Sequence, residues 1–285
     1  MEKISETAVL LNKDGSVYHL NLHPKHLSDT IIIVDEPSRV FQVSQYFDSV
    51  HYEMNKGEFV THIGKYQDEM ITVISSGMGS DNTETLMTEL DILANIDLKT
   101  NKIKTKKRGL KFIKVGTTTA IQEDIAIGSY IISGYAVGFD NLINFYQHTR
   151  EKFFMDISER VRTHCELDFM PYTVSGSSSL INQFNTIFQM GNTISCPGYY
   201  APQGRAVRLP LRYPRLIEQL TYFHHDNIWF TNLDLETALF YSLGKLLNHE
   251  VISISAVTSN LIKNRYSRDE NKIFSTLIKK ILGHL

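Results

Sequence analysis

Short apolar runs that end in polar or glycine-rich turns recur along the sequence. Each run is five to seven residues of largely β-branched or aliphatic character, which is typical of a buried strand. The runs and the turns that follow them are Thr30–Asp35 before Glu36–Ser38, Met70–Ser76 before Gly77–Asn82, and Lys111–Val115 before Gly116–Ala120. The pattern therefore predicts three strands, each closed by a turn at its carboxyl end.

Apolar residues at helical spacing follow the second of these turns and return near the carboxyl end. Leu86, Leu90 and Leu93 recur every three to four residues and predict an amphipathic helix. Asp81 or Asn82 is expected to cap it. Further helices and strands are predicted at Leu216–Tyr222, Leu233–Leu247, Phe274–Leu282, Ser129–Ser133 and Val251–Val257. Strands that alternate with helices indicate an α/β sandwich around a largely parallel or mixed sheet, whose ligands bind at the carboxyl ends of strands.

The composition indicates a globular chain whose overall charge does not attract anions. Of 285 residues, 42% are hydrophobic, and 29 Lys and Arg against 31 Asp and Glu give a net charge of −2. This composition excludes extensive disorder, and the charge excludes wholesale electrostatic binding to nucleic acid or to an acidic membrane. The basic segment Lys102–Arg108 has no interleaved aromatic residues, so we interpret it as a solvated loop. A local basic pocket is still compatible with these numbers.

Cysteine use and the first residues of the chain favour the cytoplasm. Cys165 and Cys196 stand apart from any Cys or His cluster with metal-binding spacing, so we expect two buried free thiols and no structural metal. Met1–Glu6 is acidic and unlike a signal peptide. No apolar run approaches the ~20 residues that a membrane-spanning helix needs. We expect a soluble, cytoplasmic protein.

Two of the turns are candidates for ligand contact. Gly77 and Gly79 begin a dinucleotide-binding pattern whose third glycine is replaced by Asn82, so we interpret them as a turn close to a ligand or another chain segment. Backbone amides and hydroxyls of Gly116–Thr119 are expected to form an oxyanion-binding concavity, to which Lys114 would add a cation. A plain turn with solvent-facing threonines is the alternative. Walker A, HExxH and GxSxG motifs are absent from the sequence.

The loop Pro197–Arg205 carries the most specific polar pair. Gln203 offers an amide donor and a carbonyl acceptor, and Arg205 offers a rigid fork of donors. Two residues apart on one loop, they suit the O2, N3–H and O4 edge of a uracil ring, on which a neighbouring tyrosine can stack. Taken singly, each residue has an alternative interpretation, which is an ordinary polar side chain on the protein surface.

Six blocks of sequence occur in order between about Tyr18 and Val257. They are Tyr18–Leu22, Val34–Val40, Ser76–Gly79, Val115–Gln122, Gly191–Thr193 with Tyr199–Arg205, and Asn232–Ala238. Val34–Val40 is similar to a Gly-Asp-Pro-x-Arg-Val turn, and Asn232–Ala238 to an Asn-x-Glu-Met-Glu-Ser-Ala helix start. Together the blocks resemble the uridine phosphorylase branch of the nucleoside phosphorylase superfamily. The resemblance implies a three-layer α/β/α sandwich with a mixed central sheet, built as a single domain over residues 1–285.

For the base and the sugar, the resemblance implies a role at each matching position. Gln203 and Arg205 fall on the residues that bind the uracil edge. Tyr199 falls where an aromatic ring lies against the base. Glu236 falls on the carboxylate that binds the ribose hydroxyls, and Leu235 falls on a methionine that packs against the sugar.

The resemblance also implies a phosphate site and an oligomer. Arg39, Lys114 and Thr117 fall on phosphate-binding positions, where the family has Arg, Arg and Thr. His19 falls on a histidine that reaches the ribose 5′ end in a neighbouring subunit. A homodimer is therefore the smallest competent unit that the resemblance implies, and a larger homo-oligomer is equally compatible with it.

The implied reaction is phosphorolysis of uridine to uracil and ribose 1-phosphate, a step of nucleoside salvage. Phosphate attacks the anomeric carbon while uracil leaves as an anion, through an oxocarbenium-like transition state. Arg205 and Gln203 would stabilise charge on the base, and Glu236 would orient the sugar. Phosphate is a co-substrate, and no metal or organic cofactor is implied. The purine branch protonates the base with an Asp, and Asn260 in the corresponding segment favours pyrimidines.

Three positions depart from the family's pattern at the phosphate site. Asp35 stands where the family has a glycine, Lys114 replaces an arginine by a point charge, and Gly57 stands where a neighbouring subunit supplies an arginine. At ~4 Å, Asp35 would repel phosphate by several kcal/mol unless it pairs with Arg39 or Lys114. Two alternatives follow: a nucleoside hydrolase with Asp35 as the general base on water, and a non-catalytic nucleoside-binding paralogue.

Overall fold

Strands and amphipathic helices alternate along the chain, as the hydrophobic pattern predicts. The computed structural model describes residues 4–149 and 151–285. They fall into two units, the first up to Ile113 together with Leu247–Glu250, the second Lys114–Leu246 together with Val251–Leu285. The assignment of residues 1–285 to one domain stays a prediction.

The first unit is built on a mixed sheet. Its elements are β1 (Thr30–Val34), α1 (Pro37–Ser44), β2 (Ser49–Lys56), β3 (Phe59–Tyr66), β4 (Glu69–Ser75), α2 (Ser80–Asn95), β5 (Ile96–Asp97), β6 (Lys102–Ile103) and the first residues of β7 (Lys111–Ala120). β1 pairs in parallel with β4, and β4, β3 and β2 follow as antiparallel neighbours. Burial of β1 from Ile31 to Val34 explains its uninterrupted apolar sequence. The strand predicted at Thr30–Asp35 begins at the predicted residue and ends one residue earlier, at Val34.

The turn before α2 depends on its two glycines. Gly77 and Gly79 have φ values of 70° and 100°, which favour residues without a Cβ. A Cβ on Gly77 would lie 3.3 Å from the Cβ of Glu58, between β2 and β3, so the turn packs against another chain segment, as predicted. The predicted cap is wrong. Gly79 occupies the cap position without a side-chain hydrogen bond, and Asp81 lies in the first turn, where its charge favours the helix N-terminus.

A buried histidine on β3 links the sheet to α1. His62 is 2% exposed, and its Nδ1 lies 2.8 Å from Ser44 Oγ at the end of α1. The ring also meets Phe41 edge-on, with 4.6 Å between centroids. Burial lowers the pKa of His62 below its usual 6.5, and Glu53 offsets part of this effect. The folded protein therefore binds this proton less readily than the unfolded chain.

We expect this histidine to make the protein less stable in mild acid. The contribution of His62 to the free energy of unfolding is complete above the pKa that the histidine has in the unfolded chain. It is lost as the pH falls from about 6.5 towards the lower pKa of the folded protein. The free energy of unfolding in urea, measured between about pH 5.5 and pH 7.5, should fall towards acid, and His62→Gln should flatten that dependence. The matched control, His51→Gln on the exposed strand β2, should keep the wild-type slope. Equal slopes in wild type and His62→Gln would contradict the assignment.

The second unit holds a larger mixed sheet. Its elements after β7 are β8 (Tyr130–Gly138), α3 (Lys152–His164), β9 (Tyr172–Ser175), α4 (Ser178–Phe184), β10 (Gln189–Ser195), α5 (Leu216–Tyr222), β11 (Asn232–Asp234), α6 (Thr237–Leu247), β12 (Glu250–Asn260), β13 (Arg265–Tyr266) and α7 (Glu270–Leu282). The strands follow the order β13-β12-β8-β10-β11-β7, with β9 beside β8. β8, β10 and β11 are parallel, and their ends Gly138, Ser195 and Asp234 stand in register. β7, β9 and β12 pair antiparallel with their neighbours in this group.

β7 continues through the segment that the sequence predicts to be a turn. Gly116–Ala120 is strand, so the predicted turn and its oxyanion-binding concavity are wrong. The polar side chains fit inside the sheet because β11 provides partners. Thr118 Oγ1 donates to the Leu233 carbonyl at 2.7 Å and accepts from Asn232 Nδ2 at 2.7 Å.

The cysteines lie in the apolar core of this unit. Cys165 and Cys196 are buried free thiols, as predicted, in a cluster that includes Leu220 and Phe230. Burial raises the pKa of Cys165 to about 12 and also raises that of Cys196. In the part of the chain that the structure describes, no helix has both the length and the apolar character needed to cross a membrane.

Candidate active site

The loop after β10 closes around Arg205. Gly204, in the left-handed region with φ 71°, turns the chain so that the guanidinium lies back over the loop. Arg205 Nη1 donates to the Tyr199 carbonyl at 2.8 Å and to Gln203 Oε1, while Nη2 donates to Thr119 Oγ1 at 3.1 Å. The guanidinium carbon lies 4.0 Å from the centroid of the Tyr199 ring, a cation–π distance. Arg205 is therefore held in place before any ligand binds.

Gln203 is the buried member of the predicted pair. It is 2% exposed, and its Nε2 donates to the Asp234 carbonyl at 3.3 Å. Such burial is incompatible with surface decoration. The structure brings Gln203, Arg205 and Tyr199 together, with the tyrosine side chain about half exposed at the edge of the group.

A buried carboxylate anchors the start of α6. Asp234 accepts from Ser195 Oγ at 2.7 Å, from the Thr237 amide at 3.2 Å and from Thr237 Oγ1. Ser195 Oγ in turn accepts from the Ala238 amide at 2.9 Å. Two amides of the first helical turn are thereby satisfied, and a negative charge near a helix N-terminus is electrostatically favourable.

Lys114 lies between Asp234 and Glu236, the carboxylate that is predicted to bind the ribose hydroxyls. Its Nζ is 3.4 Å from Asp234 Oδ2 and 3.2 Å from Glu236 Oε1. All three side chains are buried, with Lys114 2% exposed. The resemblance implies that Lys114 binds phosphate, whereas in the structure its ammonium group contacts two carboxylates. Asp234 is a site residue that the sequence does not single out, although it matches the first Glu of the Asn-x-Glu-Met-Glu pattern.

Two further predicted residues lie near these groups along the chain. Leu235, between the two carboxylates in sequence, is half-buried, and Thr117 on β7 is half-buried as well. A partly exposed position is compatible with contact with a bound molecule. Their roles towards sugar and phosphate stay predictions.

In the first unit, Arg39 lies in the first turn of α1. It is 8% exposed, with Nη1 3.3 Å from Asp35 Oδ2 and Nε 3.1 Å from Glu36 Oε1. This is one of the pairings anticipated for Asp35. The other oxygen, Asp35 Oδ1, is buried and accepts no hydrogen bond from the described residues.

His19 is held by a glutamate of α2. Its Nδ1 lies 2.7 Å from Glu89 Oε1, and the amides of His19 and Leu20 donate to the same carboxylate at 2.9 and 2.8 Å. Glu89 is 7% exposed, whereas the His19 side chain is nearly half exposed. The carboxylate therefore orients the imidazole and leaves part of its ring accessible.

The described side chains can supply two kinds of chemistry. Arg205 and Gln203 present donors suited to an anionic leaving group, and Glu236 presents a carboxylate suited to hydroxyl groups. Among residues 4–149 and 151–285, no three His, Cys, Asp or Glu side chains are grouped so that they could hold a metal ion.

Residues 29–281 match the family model of the phosphorylase superfamily, and the chain belongs to this superfamily. Among curated relatives, the uridine phosphorylase of Thermococcus kodakarensis is 26% identical over 263 residues, covering 91% of this chain and 83% of the relative. A DeoD-type purine nucleoside phosphorylase of Buchnera aphidicola subsp. Baizongia pistaciae is 24% identical over 272 residues, covering 93% and 97%. The expected family and enzyme class, a pentosyltransferase, are confirmed.

Solved structures show the same fold. A Trypanosoma brucei nucleoside phosphorylase described as having uridine phosphorylase activity superposes with a TM-score of 0.90 at 24% identity, covering 97% of this chain and 99% of the other. A uridine phosphorylase of Phytophthora capsici gives a TM-score of 0.70 at 18% identity, covering 95% and 96%. The predicted α/β/α sandwich with a mixed sheet, of the nucleoside phosphorylase type, is confirmed.

Proposed function

We propose that the protein catalyses phosphorolysis of uridine, or of a closely related pyrimidine nucleoside, to uracil and ribose 1-phosphate. The observation that carries the proposal is the linked pair of Gln203 and Arg205, held in place beside Tyr199. An amide and a guanidinium so arranged match the alternating acceptor, donor and acceptor groups of a uracil edge. The uridine phosphorylases among the relatives support the same substrate class.

On the base side, the reaction needs stabilisation of a leaving anion. Gln203 accepts from N3–H and donates to O2, and Arg205 donates to O4. When the glycosidic bond breaks, its electron pair moves to N1 of uracil and the charge spreads to O2 and O4. Donors that are already oriented act on this charge without reorganising. Gln203 Oε1 has a second lone pair for N3–H and Arg205 Nη2 has a second N–H for O4, so the contact between the two side chains is kept when the base binds.

On the sugar side, Glu236 binds the ribose hydroxyls and Leu235 packs against the ring. A carboxylate near the anomeric centre also favours the positive charge that develops there. His19 of a neighbouring subunit reaches the 5′ end. Arg39 and Thr117 bind phosphate, as the resemblance implies.

Pyrimidine preference has support from Asn260. Its Nδ2 donates to the carbonyls of Gln122 and Ile125, both at 2.9 Å, and the side chain is 2% exposed. The amide therefore ties down a loop and is not poised to protonate a purine. Independence from metal and organic cofactors, the homo-oligomer and the cytoplasmic location are part of this proposal and stay predictions.

The proposal predicts cleavage of uridine that depends on phosphate. Purified protein incubated with uridine and inorganic phosphate should release uracil and ribose 1-phosphate, and omission of phosphate should stop the release, because phosphate is the nucleophile. Chromatography of the base and identification of the sugar product measure both. Inosine serves as the purine control. Free ribose formed without phosphate, or no base released from any pyrimidine nucleoside, would reject phosphorolysis.

A second candidate, hydrolysis, is favoured by the surroundings of Arg39. Its guanidinium already pairs with Asp35 and Glu36, and Asp35 Oδ1 accepts no hydrogen bond from the described residues, so it keeps its lone pairs for the proton that a general base takes from water. Asp35→Gly distinguishes the candidates. A hydrolase would lose its base and its activity, whereas a phosphorylase would gain affinity for phosphate and show a lower KM for it.

A further inference from the structure

The ammonium of Lys114 is fixed by a carboxylate that is itself fixed. Asp234 receives hydrogen bonds from Ser195 Oγ, the Thr237 amide and Thr237 Oγ1 before Lys114 is considered. These hydrogen bonds hold both oxygens of the carboxylate in place. Because Asp234 cannot move without breaking these bonds, it gives Lys114 a fixed anchor at 3.4 Å.

The second contact of the ammonium is with Glu236. Lys114 Nζ lies 3.2 Å from Glu236 Oε1, and Glu236 is 4% exposed. Asp234, Lys114 and Glu236 thus form a relay in which the helix start holds the lysine and the lysine holds the glutamate. The residues come from positions 120 apart on the chain, on β7 and at the β11–α6 junction.

Two departures from the family's pattern meet in this relay. Where the family has Arg at position 114 and Glu at position 234, this chain has Lys114 and Asp234. Lys114 lacks the planar donor fork of an arginine, and Asp234 is one methylene group shorter than a glutamate. The ammonium of Lys114 also lies within 3.4 Å of oxygens of both carboxylates, so in this structure it contacts carboxylates rather than an open anion site. Phosphate placed ~4 Å from either carboxylate would be repelled.

We propose that Lys114 is a positioning residue that orients Glu236 for the ribose hydroxyls, and that it is not a phosphate ligand. Through Glu236 it sets the preference for ribose over 2′-deoxyribose. This inference rests on the proposed function for the identity of the substrate, but its contacts do not depend on whether phosphate or water is the nucleophile.

The test compares uridine with 2′-deoxyuridine in variants of Lys114. Lys114→Met removes the charge and keeps the chain length. Because it leaves two buried carboxylates without this cation and is liable to misfold, Lys114→Met/Asp234→Asn is made in parallel to restore the charge balance. Lys111→Met, exposed near the start of the same strand, is the matched control. For each protein, kcat/KM of both nucleosides and KM for inorganic phosphate are measured, and calorimetry gives the affinity for each nucleoside.

In the balanced variant, the preference for uridine should fall by about tenfold, the scale of one hydrogen bond to a charged group. The KM for phosphate should change by less than about twofold. Adding Glu236→Gln should cause no further loss of preference, since Lys114 acts through Glu236. The control should match the wild type in every measurement.

A selective rise in the KM for phosphate, with the sugar preference intact, would overturn the proposal and make Lys114 a phosphate ligand. A wild-type protein without preference for ribose would overturn it too. If the wild type releases base without phosphate, the proposed phosphorolysis fails, and the ratio of the two nucleosides still decides the role of Lys114. If no base is released, the calorimetric affinities decide it.

Discussion

Arg205→Ala should lower kcat/KM for uridine by roughly 10²-fold or more, the scale of removing one preorganised donor to a developing anion. The guanidinium is held by the Tyr199 carbonyl, Gln203 Oε1 and Thr119 Oγ1, so that wild-type protein meets the base with the donor in place. Alanine removes the donor and the partner of the Tyr199 ring together. Steady-state kinetics with uridine at saturating phosphate measure the loss.

Two comparisons separate this effect from a general disturbance. Arg205→Lys keeps a positive charge but loses the planar fork, so it should fall between alanine and wild type. Arg215→Ala removes an exposed arginine that pairs with Glu218 at 3.2 Å, and should leave the kinetics unchanged. An Arg205→Ala protein with wild-type stability and wild-type kcat/KM would remove the guanidinium from the base site.

The largest loss of stability is expected for Asp234→Ala. The substitution leaves Ser195 Oγ, the Thr237 amide and Thr237 Oγ1 without their acceptor and takes one carboxylate from a buried ammonium. Breaking a buried ion pair from one side costs about 3–5 kcal/mol. Urea denaturation should show this fall in the free energy of unfolding, as a lower midpoint at unchanged slope.

Asp168→Ala is the matched control for that measurement. Asp168 accepts from Arg212 and Tyr213, but it is exposed, and exposed ion pairs contribute about 0–1 kcal/mol. Asp234→Asn keeps an acceptor oxygen for Ser195 and should lose less than Asp234→Ala. A loss below about 1 kcal/mol for Asp234→Ala would mean that the carboxylate does not anchor α6.

The sequence predicts the fold best where burial alone decides local structure. β1 is buried from Ile31 onwards, and its apolar run gives the first residue of the strand correctly and the last to within one residue. β7 shows the limit of this approach. Gly116–Ala120 has the composition of a turn, yet Thr118 finds a partner in Leu233 on a strand more than a hundred residues later, and the strand continues. A tertiary partner of this kind overrides local propensity.

In the candidate site, too, the sequence predicts contacts between neighbouring residues and misses contacts between distant segments. Gln203 and Arg205 contact each other across one residue, and a local motif suffices to suggest that they act together. The contacts of Lys114 with Asp234 and Glu236 join segments 120 residues or more apart, and a residue type alone does not distinguish a cation for phosphate from a cation for carboxylates. For the cap of α2, Asp81 and Asn82 have suitable side chains, but the backbone turn at Gly79 decides where the helix begins.

The tight packing of Lys114 against Asp234 also constrains how such a site can change over evolutionary time. Both side chains are about 3% exposed, so an arginine at 114 facing the present aspartate would be overpacked, and a glutamate at 234 facing the present lysine would be crowded as well. Each exchange towards the arginine and glutamate of the superfamily adds atoms at the same buried contact and so costs stability unless the neighbouring side chains give way. Because the two side chains are in contact, the effects of the two exchanges on the free energy of unfolding are not additive.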